Sequence, residues 1–511
     1  MKLKPVRAAK AMVAAGNPLA AAEGLAVLRA GGNAVDGAMA AAAVLAIVSP
    51  HECGLGGDLL ALIYEARTGK VHVLNACGRS PASATLDAFA NGMPQVGARS
   101  VSVPGMAGGW EAAVKRFGTR PFGELLSGAI RYAEEGFPAF GDLVENAKEK
   151  RSVIEGDTQA SRLFLPEGRL LREGELVRQH AAARTLRAMA EQGASAFYRG
   201  PVAQAMSSFL GERGGLLTEE DFANFEPLWQ KALSADYGAH RICTMPPNSW
   251  AAALLLQLAV MDREGVPAGE ADFLVQGYRT RRTAYQMLEG CIADPEIAGD
   301  RARDVVASYI EGRAAAPAAG ERAESNHGTD TSNVVAVDAD GNAVSLLQSV
   351  FVPYGCGLVD PATGVLFNNR MRGFNTKAGD PNCLAPRKRP AQTLAPVIAL
   401  KDGRVWMACS SPGGPGQTGT MAQFFGRVMF RGESVADAVA APRWSKTLTG
   451  DDILEDSAAP DVQAAVQQAE PAVKVSRWAS VNFGSIVAVM RDGEGWLGCA
   501  DTRRHAAVHG Y

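Results

Sequence analysis

The sequence predicts an α/β protein built as a layered sandwich, with two central sheets covered by helices on both outer faces. Three observations lead to this fold class. Short apolar runs typical of strands occur near the start of the chain and again after Thr331. A long stretch between them has helical periodicity. Since neither group of strands is large enough to bury itself, the two halves are expected to share one core.

The first third of the chain alternates between helical and strand patterns. Pro18 to Arg29 places its leucines on one face, and Gly31-Gly32-Asn33 ends that helix. Asp36 to Val48 is an alanine-rich helix, small enough to be buried on every side. A glycine loop, residues 51–57, then precedes two apolar runs, residues 59–64 and 71–75, which a hairpin turn separates.

The middle of the chain, about residues 104–287, is predicted to be mostly helical. Periodic segments are Gly109 to Arg116, Phe122 to Glu135, Ala181 to Glu191, Pro201 to Phe209, Trp250 to Met261 and Phe273 to Leu288. Residues 311–328 lose large hydrophobic side chains and gain Ala, Arg and Glu, which favours a mobile segment.

After Thr331 the pattern changes to short β-rich runs. Strands are predicted at Val334 to Val337, Val344 to Ser349, Val397 to Leu400, Val405 to Cys409 and Ser485 to Arg491. A tight turn at residues 338–342 joins the first two strands. Ala422 to Met429 and Val435 to Ala441 have the apolar spacing of helices.

Composition excludes several classes of partner. The 511 residues carry a net charge of −3, so nothing indicates a nucleic-acid or membrane-surface partner. No apolar run is long enough to span a membrane, and the N-terminus lacks the apolar core of a signal peptide. The eight cysteines are scattered without zinc-ligand spacing, which predicts buried reduced thiols in a cytoplasmic protein, with no metal and no cofactor.

The candidate centre is Thr331. A flexible segment, an acidic residue at Asp330 and a hydroxyl residue at the head of a strand together indicate a self-cleaving precursor. Cleavage between Asp330 and Thr331 would give a threonine with a free α-amino group, which carries nucleophile and base in one residue. An ordinary strand-entry threonine is the alternative, and Thr329 is a second candidate for the nucleophile.

The chain resembles the γ-glutamyltransferase family of N-terminal-nucleophile hydrolases nearly from end to end. About ten short motifs occur in the family's order, and no single one would suffice. They include Gly31-Gly32-Asn33-Ala34-Val35-Asp36, Gly54-Leu55-Gly56-Gly57-Asp58, Val103-Pro104-Gly105, Asp340-Gly341-Asn342-Ala343-Val344-Ser345, Arg387-Lys388-Arg389-Pro390, Ser411-Pro412-Gly413-Gly414 and Asp501-Thr502-Arg503-Arg504.

The resemblance implies a four-layer αββα sandwich of the N-terminal-nucleophile type. Residues 1–330 would form the large subunit, with 311–330 as its flexible pre-cleavage tail, and residues 331–511 the small subunit. The two cleaved segments would stay together as a heterodimer. The family's catalytic threonine lies seven residues before the acidic end of its first small-subunit strand, which is Asp338 here and identifies Thr331.

The same resemblance assigns supporting roles around Thr331. Gly413 and Gly414 match the oxyanion-hole pair, whose main-chain N–H groups stabilise the tetrahedral intermediate. Ser349 matches a hydroxyl that hydrogen-bonds the nucleophile. Ser332 directly follows the nucleophile, and its part in cleavage stays open. The glycines at 54, 56 and 57 are expected to pack closely beside the site, because the loop lacks the Walker lysine and full dinucleotide spacing.

The expected substrate pocket departs from the family. Arg370 and Gly373 stand where a glutamine and an aspartate normally hold the substrate's α-amino group, and Phe351 replaces an asparagine. Gln392-Thr393 replaces the serine pair that grips the α-carboxylate. Cys77 occupies the usual arginine position, while Arg79 lies two residues later.

These changes favour a carboxylate in the substrate. An ammonium-binding acid is lost and positive charge is gained, from Arg370 and, as further candidates, Arg79 and Arg372. The sequence therefore predicts a threonine amidohydrolase for a small amide with a carboxylate-bearing acyl group, of the oxamate or glutaryl type. A glutathione hydrolase or γ-glutamyl transpeptidase is the first alternative. A dead, unprocessed homologue acting as a binding protein is the second.

Overall fold

The computed structural model describes residues 3–315, 330–447, 449–478 and 480–511. It confirms the predicted fold class: two stacked seven-stranded sheets lie between helices. Residues 316–329, which include Thr329 and most of the predicted tail 311–330, lie outside the described residues. In the described part of the chain, no helix combines the length and the apolar character that crossing a membrane requires.

The first sheet draws strands from both predicted subunits. Its order is β1-β18-β17-β13-β12-β9-β8, with every neighbouring pair antiparallel. The strands are β1 (Val6–Ala8), β8 (Leu233–Tyr237), β9 (His240–Thr244), β12 (Val397–Lys401), β13 (Arg404–Ser410), β17 (Val487–Asp492) and β18 (Gly495–Ala500). β8 and β9 lie in the stretch predicted as mostly helical, between two of its predicted helical segments, and were not predicted as strands.

The second sheet contains the strand with Thr331 at an inner position. Its order is β19-β2-β10-β11-β3-β4-β7, again with antiparallel neighbours. The strands are β2 (Met12–Ala15), β3 (Asp58–Glu65), β4 (Lys70–Ala76), β7 (Leu228–Lys231), β10 (Asp330–Val337), β11 (Ala343–Phe351) and β19 (Ala507–Gly510). Thr331 is thus the second residue of an inner strand whose neighbours come from both halves of the chain.

Small sheets and helices complete the structure. The remaining strands are β5 (Phe137–Pro138), β6 (Leu176–Val177), β14 (Trp444–Lys446), β15 (Asp452–Glu455) and β16 (Lys474–Ser476). The helices before residue 200 are α1 (Pro18–Arg29), α2 (Ala34–Val48), α3 (Pro50–Cys53), α4 (Met106–Phe117), α5 (Phe122–Leu125), α6 (Ser127–Glu135), α7 (Gly141–Glu149), α8 (Arg151–Glu155), α9 (Thr158–Phe164), α10 (His180–Gln192) and α11 (Ser195–Tyr198).

The later helices are α12 (Pro201–Gly211), α13 (Glu219–Ala223), α14 (Ala252–Glu264), α15 (Glu270–Met287), α16 (Pro295–Ala298), α17 (Arg301–Ile310), α18 (Gln417–Phe425), α19 (Val435–Ala440) and α20 (Pro460–Ala469). A π-helical turn, Gly426–Phe430, continues α18. Residues 51–53 belong to α3, so the predicted glycine loop begins only at Gly54.

Alternation along β3 shows how the layers form. Leu59, Ala61 and Ile63 pack with α2 in the core on one side of the sheet. Leu60 and Leu62 pack between the sheets, in the same core as Ile398 of β12. On the far face of the first sheet, β12 and β13 pack against α14 and α18. Side chains alternate between the two faces of each strand, so each sheet packs against helices on one face and against the other sheet on its second face. The layers therefore follow the order helix, sheet, sheet, helix.

Helix α2 is alanine-rich because it is buried on every side. All of its residues are buried, and a capping box between Asn33 and Asp36 fixes its start. The main-chain N–H of Ala34 donates to Asp338 Oδ2 at 2.9 Å, which ties this helix to the β10–β11 turn. Small side chains let α1 and α2 approach closely, and a Cβ at Gly24 would lie 2.7 Å from the Gly37 carbonyl oxygen.

The eight cysteines all lie within the described residues and none forms a disulfide. Seven are buried, and Cys383 is partly exposed.

Candidate active site

Thr331 lies at an irregularity in the pairing of β10 with β11. Asp330 pairs with Phe351 and Ser332 with Gln348, so the register shifts at Thr331, which faces the Ser349–Val350 stretch of β11. Such bulges redirect a side chain out of the regular pleat. Thr331 is only 2% exposed.

Ser349 lies on β11, the strand next to Thr331. It is opposite the bulge on one side and pairs with Asp58 of β3 on the other. Its Oγ accepts a hydrogen bond from the N–H of Phe351 at 2.8 Å, which fixes the hydroxyl in the wall beside Thr331. Ser349 therefore connects the candidate nucleophile to the strand that begins the pocket.

The Gly413–Gly414 loop follows β13 and is held next to the start of β10. Asn333 Nδ2 donates to the carbonyl oxygens of Ser410 at 3.1 Å and Ser485 at 3.2 Å, which bridges the two sheets two residues after Thr331. Gly413 has φ +118°, a conformation that requires glycine. In the part of the chain that the structure describes, neither glycine N–H donates a hydrogen bond. Two main-chain donors are thus available for an oxyanion.

A buried arginine holds the main chain of Thr331. Arg504 Nη1 donates to the Thr331 carbonyl oxygen at 3.3 Å and to Glu52 Oε1 at 2.6 Å. The Arg504 and Glu52 side chains are 6% and 4% exposed, so both charges are shielded from solvent. Arg504 ends the motif Asp501-Thr502-Arg503-Arg504, but its contact with Thr331 was not predicted.

The segment that carries Arg504 is anchored by a buried ion network. Asp501 pairs with Arg443 and Arg503, and Arg503 also binds Glu455 at 2.7 Å. Burial alone would raise the pKa of Asp501, but the two guanidinium groups outweigh it and lower that pKa. A fixed carboxylate here sets the position of the chain leading to Arg504.

Asp58, the last residue of the glycine motif, organises the pocket wall. Its Oδ2 accepts from Arg370 Nε at 2.9 Å and from Gln392 Nε2 at 3.1 Å, and its Oδ1 accepts from the N–H of Gly78 at 3.0 Å. Burial raises the pKa of Asp58 above its usual range, although the charge of Arg370 opposes the shift. An acidic residue closing a glycine motif was the signal that could have identified it.

Arg370 is a buried cation with an unused donor. Its side chain is 1% exposed, and its guanidinium carbon lies 4.6 Å from the centre of the Phe351 ring. Among the described residues, Nη2 has no hydrogen-bond acceptor. Phe351 holds φ +89°, an unfavourable conformation for a bulky residue, which presents its ring to Arg370.

Arg372 lies over the same ring, with its guanidinium carbon 5.7 Å from the centroid. Burial lowers the pKa of Arg372. Two guanidinium groups therefore share the Phe351 ring, and the apolar wall predicted from Phe351 also serves as a stacking surface.

Gln392 lies in the same wall and leaves one acceptor unused. Its Nε2 contacts Asp58 and, at 3.2 Å, the Cys77 sulfur, while the buried Oε1 has no partner among the described residues. Burial raises the pKa of the Cys77 thiol to about 12, so it stays protonated. Thr393 is buried next to Gln392. Gly373 is close-packed: a Cβ there would lie 2.7 Å from the Ala391 carbonyl oxygen.

The structure separates Arg79 from this cluster. The Arg79 guanidinium pairs with Glu296 and donates to the Arg387 carbonyl oxygen at 2.7 Å, and its side chain is 32% exposed. It lines a cavity together with Arg387 and Arg389, and its role beside Thr331 stays a prediction. The side chains of Cys77 and Arg79 have different surroundings although they are two residues apart. The Cys77 sulfur contacts the buried Asp58, while the Arg79 side chain is partly exposed and pairs with Glu296.

The glycine motif packs closely, as expected. A Cβ at Gly56 would lie 2.3 Å from the Leu366 carbonyl oxygen, and one at Gly57 would lie 2.7 Å from the Ser349 carbonyl oxygen. Ser332 is buried and its Oγ has no partner among the described residues. These contacts give the glycines a packing role beside the candidate nucleophile.

The fold and this constellation define a hydrolase of the N-terminal-nucleophile class. A family model described as Gamma-glutamyltranspeptidase matches residues 20–511, and the chain belongs to that family. The family resemblance found in the sequence is thereby confirmed. Its relatives are named hydrolases, and the chain is an enzyme of the kind that cleaves amide bonds.

Three relatives illustrate the similarity. The "Glutathione hydrolase-like YwrD proenzyme" of Bacillus subtilis is 32% identical over 86% of this chain and 86% of its own length. The "Oxamate amidohydrolase proenzyme" of Klebsiella pneumoniae is 31% identical over 98% of both chains. The crystal structure of a cephalosporin acylase from Bacillus halodurans superposes with a TM-score of 0.89 at 29% identity, covering 100% of this chain and 97% of the other.

Proposed function

We propose that this chain is a precursor that cuts itself between Asp330 and Thr331, and that the product is an amidohydrolase for small amides whose acyl group carries a carboxylate. The observation that carries the substrate class is Arg370 Nη2, a buried donor without an acceptor among the described residues. Leaving such a donor unpaired costs about 1–3 kcal/mol, and a substrate carboxylate removes that cost with a charge-assisted hydrogen bond.

The mechanism follows from the geometry around Thr331. Its Oγ attacks the amide carbonyl carbon while the free α-amino group takes the hydroxyl proton. The N–H groups of Gly413 and Gly414 receive the developing oxyanion. The intermediate collapses, the amine leaves with that proton, and an ester on Thr331 remains. Water then attacks the ester by the same route, releasing the acid and restoring Thr331.

The pocket wall also ranks the candidate substrates. An oxamate-type substrate has a carboxylate for Arg370 Nη2 and an adjacent N–H for the unused Gln392 Oε1. A glutaryl group satisfies only Arg370. A γ-glutamyl group adds an ammonium close to Arg370, and Asp58 is already paired with that arginine. The names of the glutathione hydrolase relatives keep the γ-glutamyl reaction as the second candidate.

A substrate panel tests the proposal. Purified protein is assayed with oxamate, glutaryl amides, glutathione and γ-glutamyl-p-nitroanilide, measuring kcat/KM for each. We expect the order oxamate, then glutaryl, then γ-glutamyl, with about a hundredfold between first and last because a site built to hydrogen-bond rejects a poor match strongly. Faster turnover of the γ-glutamyl compounds would overturn the substrate class.

A positioning role for Arg504 gives a further prediction. Arg504→Met removes the group that holds the Thr331 carbonyl, so kcat should fall about tenfold to a hundredfold through misplacement of the nucleophile, with little change in KM. The measurement is steady-state kinetics on fully processed protein. Arg7→Met, which alters an exposed arginine paired with Asp492, is the control. A rise in KM without loss of kcat would contradict the positioning role.

A further inference from the structure

A cavity lies beside the Cys77 segment, whose carbonyl oxygen accepts a hydrogen bond from the lining residue Arg389. It has a volume of about 290 Å³, and its lining includes Arg79, Arg387, Arg389, Val103 and Phe225. The lining also includes the acidic residues Asp221 and Glu226, and Arg387 is already paired with Glu220 at 2.9 Å. Arg79 and Arg389 are therefore the two cations to consider for a bound anion.

Arg389 gives the cavity a fixed donor. Its Nε donates to the Cys77 carbonyl oxygen at 3.2 Å and its Nη2 to the Glu226 carbonyl oxygen at 3.3 Å, which orients the whole guanidinium group. The side chain is 5% exposed, yet Nη1 has no hydrogen-bond acceptor among the described residues. Burial and the nearby charge of Arg79 lower the pKa of Arg389, which is what an incompletely compensated cation shows.

A carboxylate from the protein itself already binds at this place. Both terminal nitrogens of Arg79 contact the carboxylate of Glu296, with Nη1 at 3.5 Å from Oε2. The same carboxylate lies 3.9 Å from Arg389 Nη1, too far for a hydrogen bond. Glu296 belongs to the short helix α16 and its side chain is 66% exposed, so it can leave without disturbing the core.

We propose that this cavity binds the carboxylate of a small organic acid, which displaces Glu296 and bonds both Arg79 and Arg389 Nη1. The planar fork of Arg79 matches a carboxylate. Val103 and Phe225 offer an apolar wall for a short hydrocarbon part. Asp294 lies 3.9 Å from Arg79 and 4.0 Å from Arg389, and this negative charge disfavours a phosphate dianion.

The test compares benzoate and inorganic phosphate binding to the full chain by calorimetry. Glu296→Gln removes the competing carboxylate and keeps the side-chain volume, so benzoate should bind about tenfold more tightly than to the unaltered protein. Arg79→Gln in the Glu296→Gln background should abolish that gain. Asp492→Asn, which removes an exposed carboxylate from a remote arginine pair, should leave binding unchanged.

The comparison also separates this cavity from the Arg370 wall. Arg370 could bind benzoate as well, but Glu296→Gln does not alter any contact of Arg370, so only the change between variants is interpreted. Equal benzoate affinity with and without Glu296 would overturn the proposal, as would a gain for phosphate larger than the gain for benzoate. Neither result bears on amide hydrolysis at Thr331.

Discussion

Replacing Thr331 by alanine is expected to leave the chain as one uncut band and to remove amidase activity. The hydroxyl is needed twice, first to attack the Asp330 carbonyl during processing and then to attack the substrate. Activity should fall at least about a thousandfold, since removing a nucleophile usually costs that much or more. A denaturing gel, N-terminal sequencing and the oxamate assay provide the measurement.

Two matched variants make the Thr331 result specific. Thr331→Ser keeps a hydroxyl and should still give fragments of residues 1–330 and 331–511, with the introduced serine at the new terminus. Thr329→Ala changes the nearby alternative and should process normally. Cleavage that persists in Thr331→Ala, or stops in Thr329→Ala, would transfer the role to Thr329. A single uncut band in the unaltered protein would favour the binding-protein alternative.

The sequence predicted the interior of the sandwich better than its edges. Helix α1 has the predicted bounds, and β3 and β4 differ by a residue or so, because periodicity is strong where one face is buried. Seven strands toward the edges of the two large sheets were missed: β1, β2, β7, β8, β9, β18 and β19. Most of them are short, and several pair with distant segments, as when β19 joins β2 from the other end of the chain. Local pattern does not encode such a partner.

The candidate site was also predicted only in part. Motif order and strand spacing placed Thr331 and Ser349 on adjacent strands. The partners that position the pocket charges come from far away in sequence: Asp58 and Arg370 are 312 residues apart. Arg79 was a candidate for the pocket because it lies two residues after the usual arginine position, and in the structure its guanidinium pairs with Glu296. Residue type can therefore indicate a carboxylate site without showing which arginine forms it.

Replacing Arg370 by methionine is expected to produce the largest combined loss of stability and specificity. The substitution leaves the Asp58 carboxylate buried without its cation, and breaking a buried pair in this way costs about 3–5 kcal/mol in the free energy of unfolding. It also removes Nη2, so kcat/KM for carboxylate-bearing amides should fall about tenfold to a hundredfold, mainly through KM. Urea unfolding and steady-state kinetics provide the two measurements.

The double variant Asp58→Asn with Arg370→Met separates these two effects. A neutral amide at position 58 removes the unpaired charge, so much of the stability should return. The carboxylate donor is still missing, so kcat/KM for oxamate should stay low. Recovery of both would mean that Arg370 acts only by balancing Asp58, and loss of neither in Arg370→Met would remove Arg370 from the site.

The pH dependence of the Arg370→Met defect follows from the raised pKa of Asp58. The folded chain holds this proton more tightly than the unfolded chain, whose carboxyl has a pKa near 3.8. Well below pH 3.8 the carboxyl is protonated in both the folded and the unfolded chain, and no buried charge must be paired. As the pH rises from 3.8 through the folded-state pKa, the charge forms and stability is lost.

Without Arg370 to oppose the shift, that pKa rises further, so the defect relative to the unaltered protein should be smaller at pH 5 than at pH 8. A defect that is equal at both pH values would show that lost packing on Phe351, rather than the unpaired carboxylate, causes the instability.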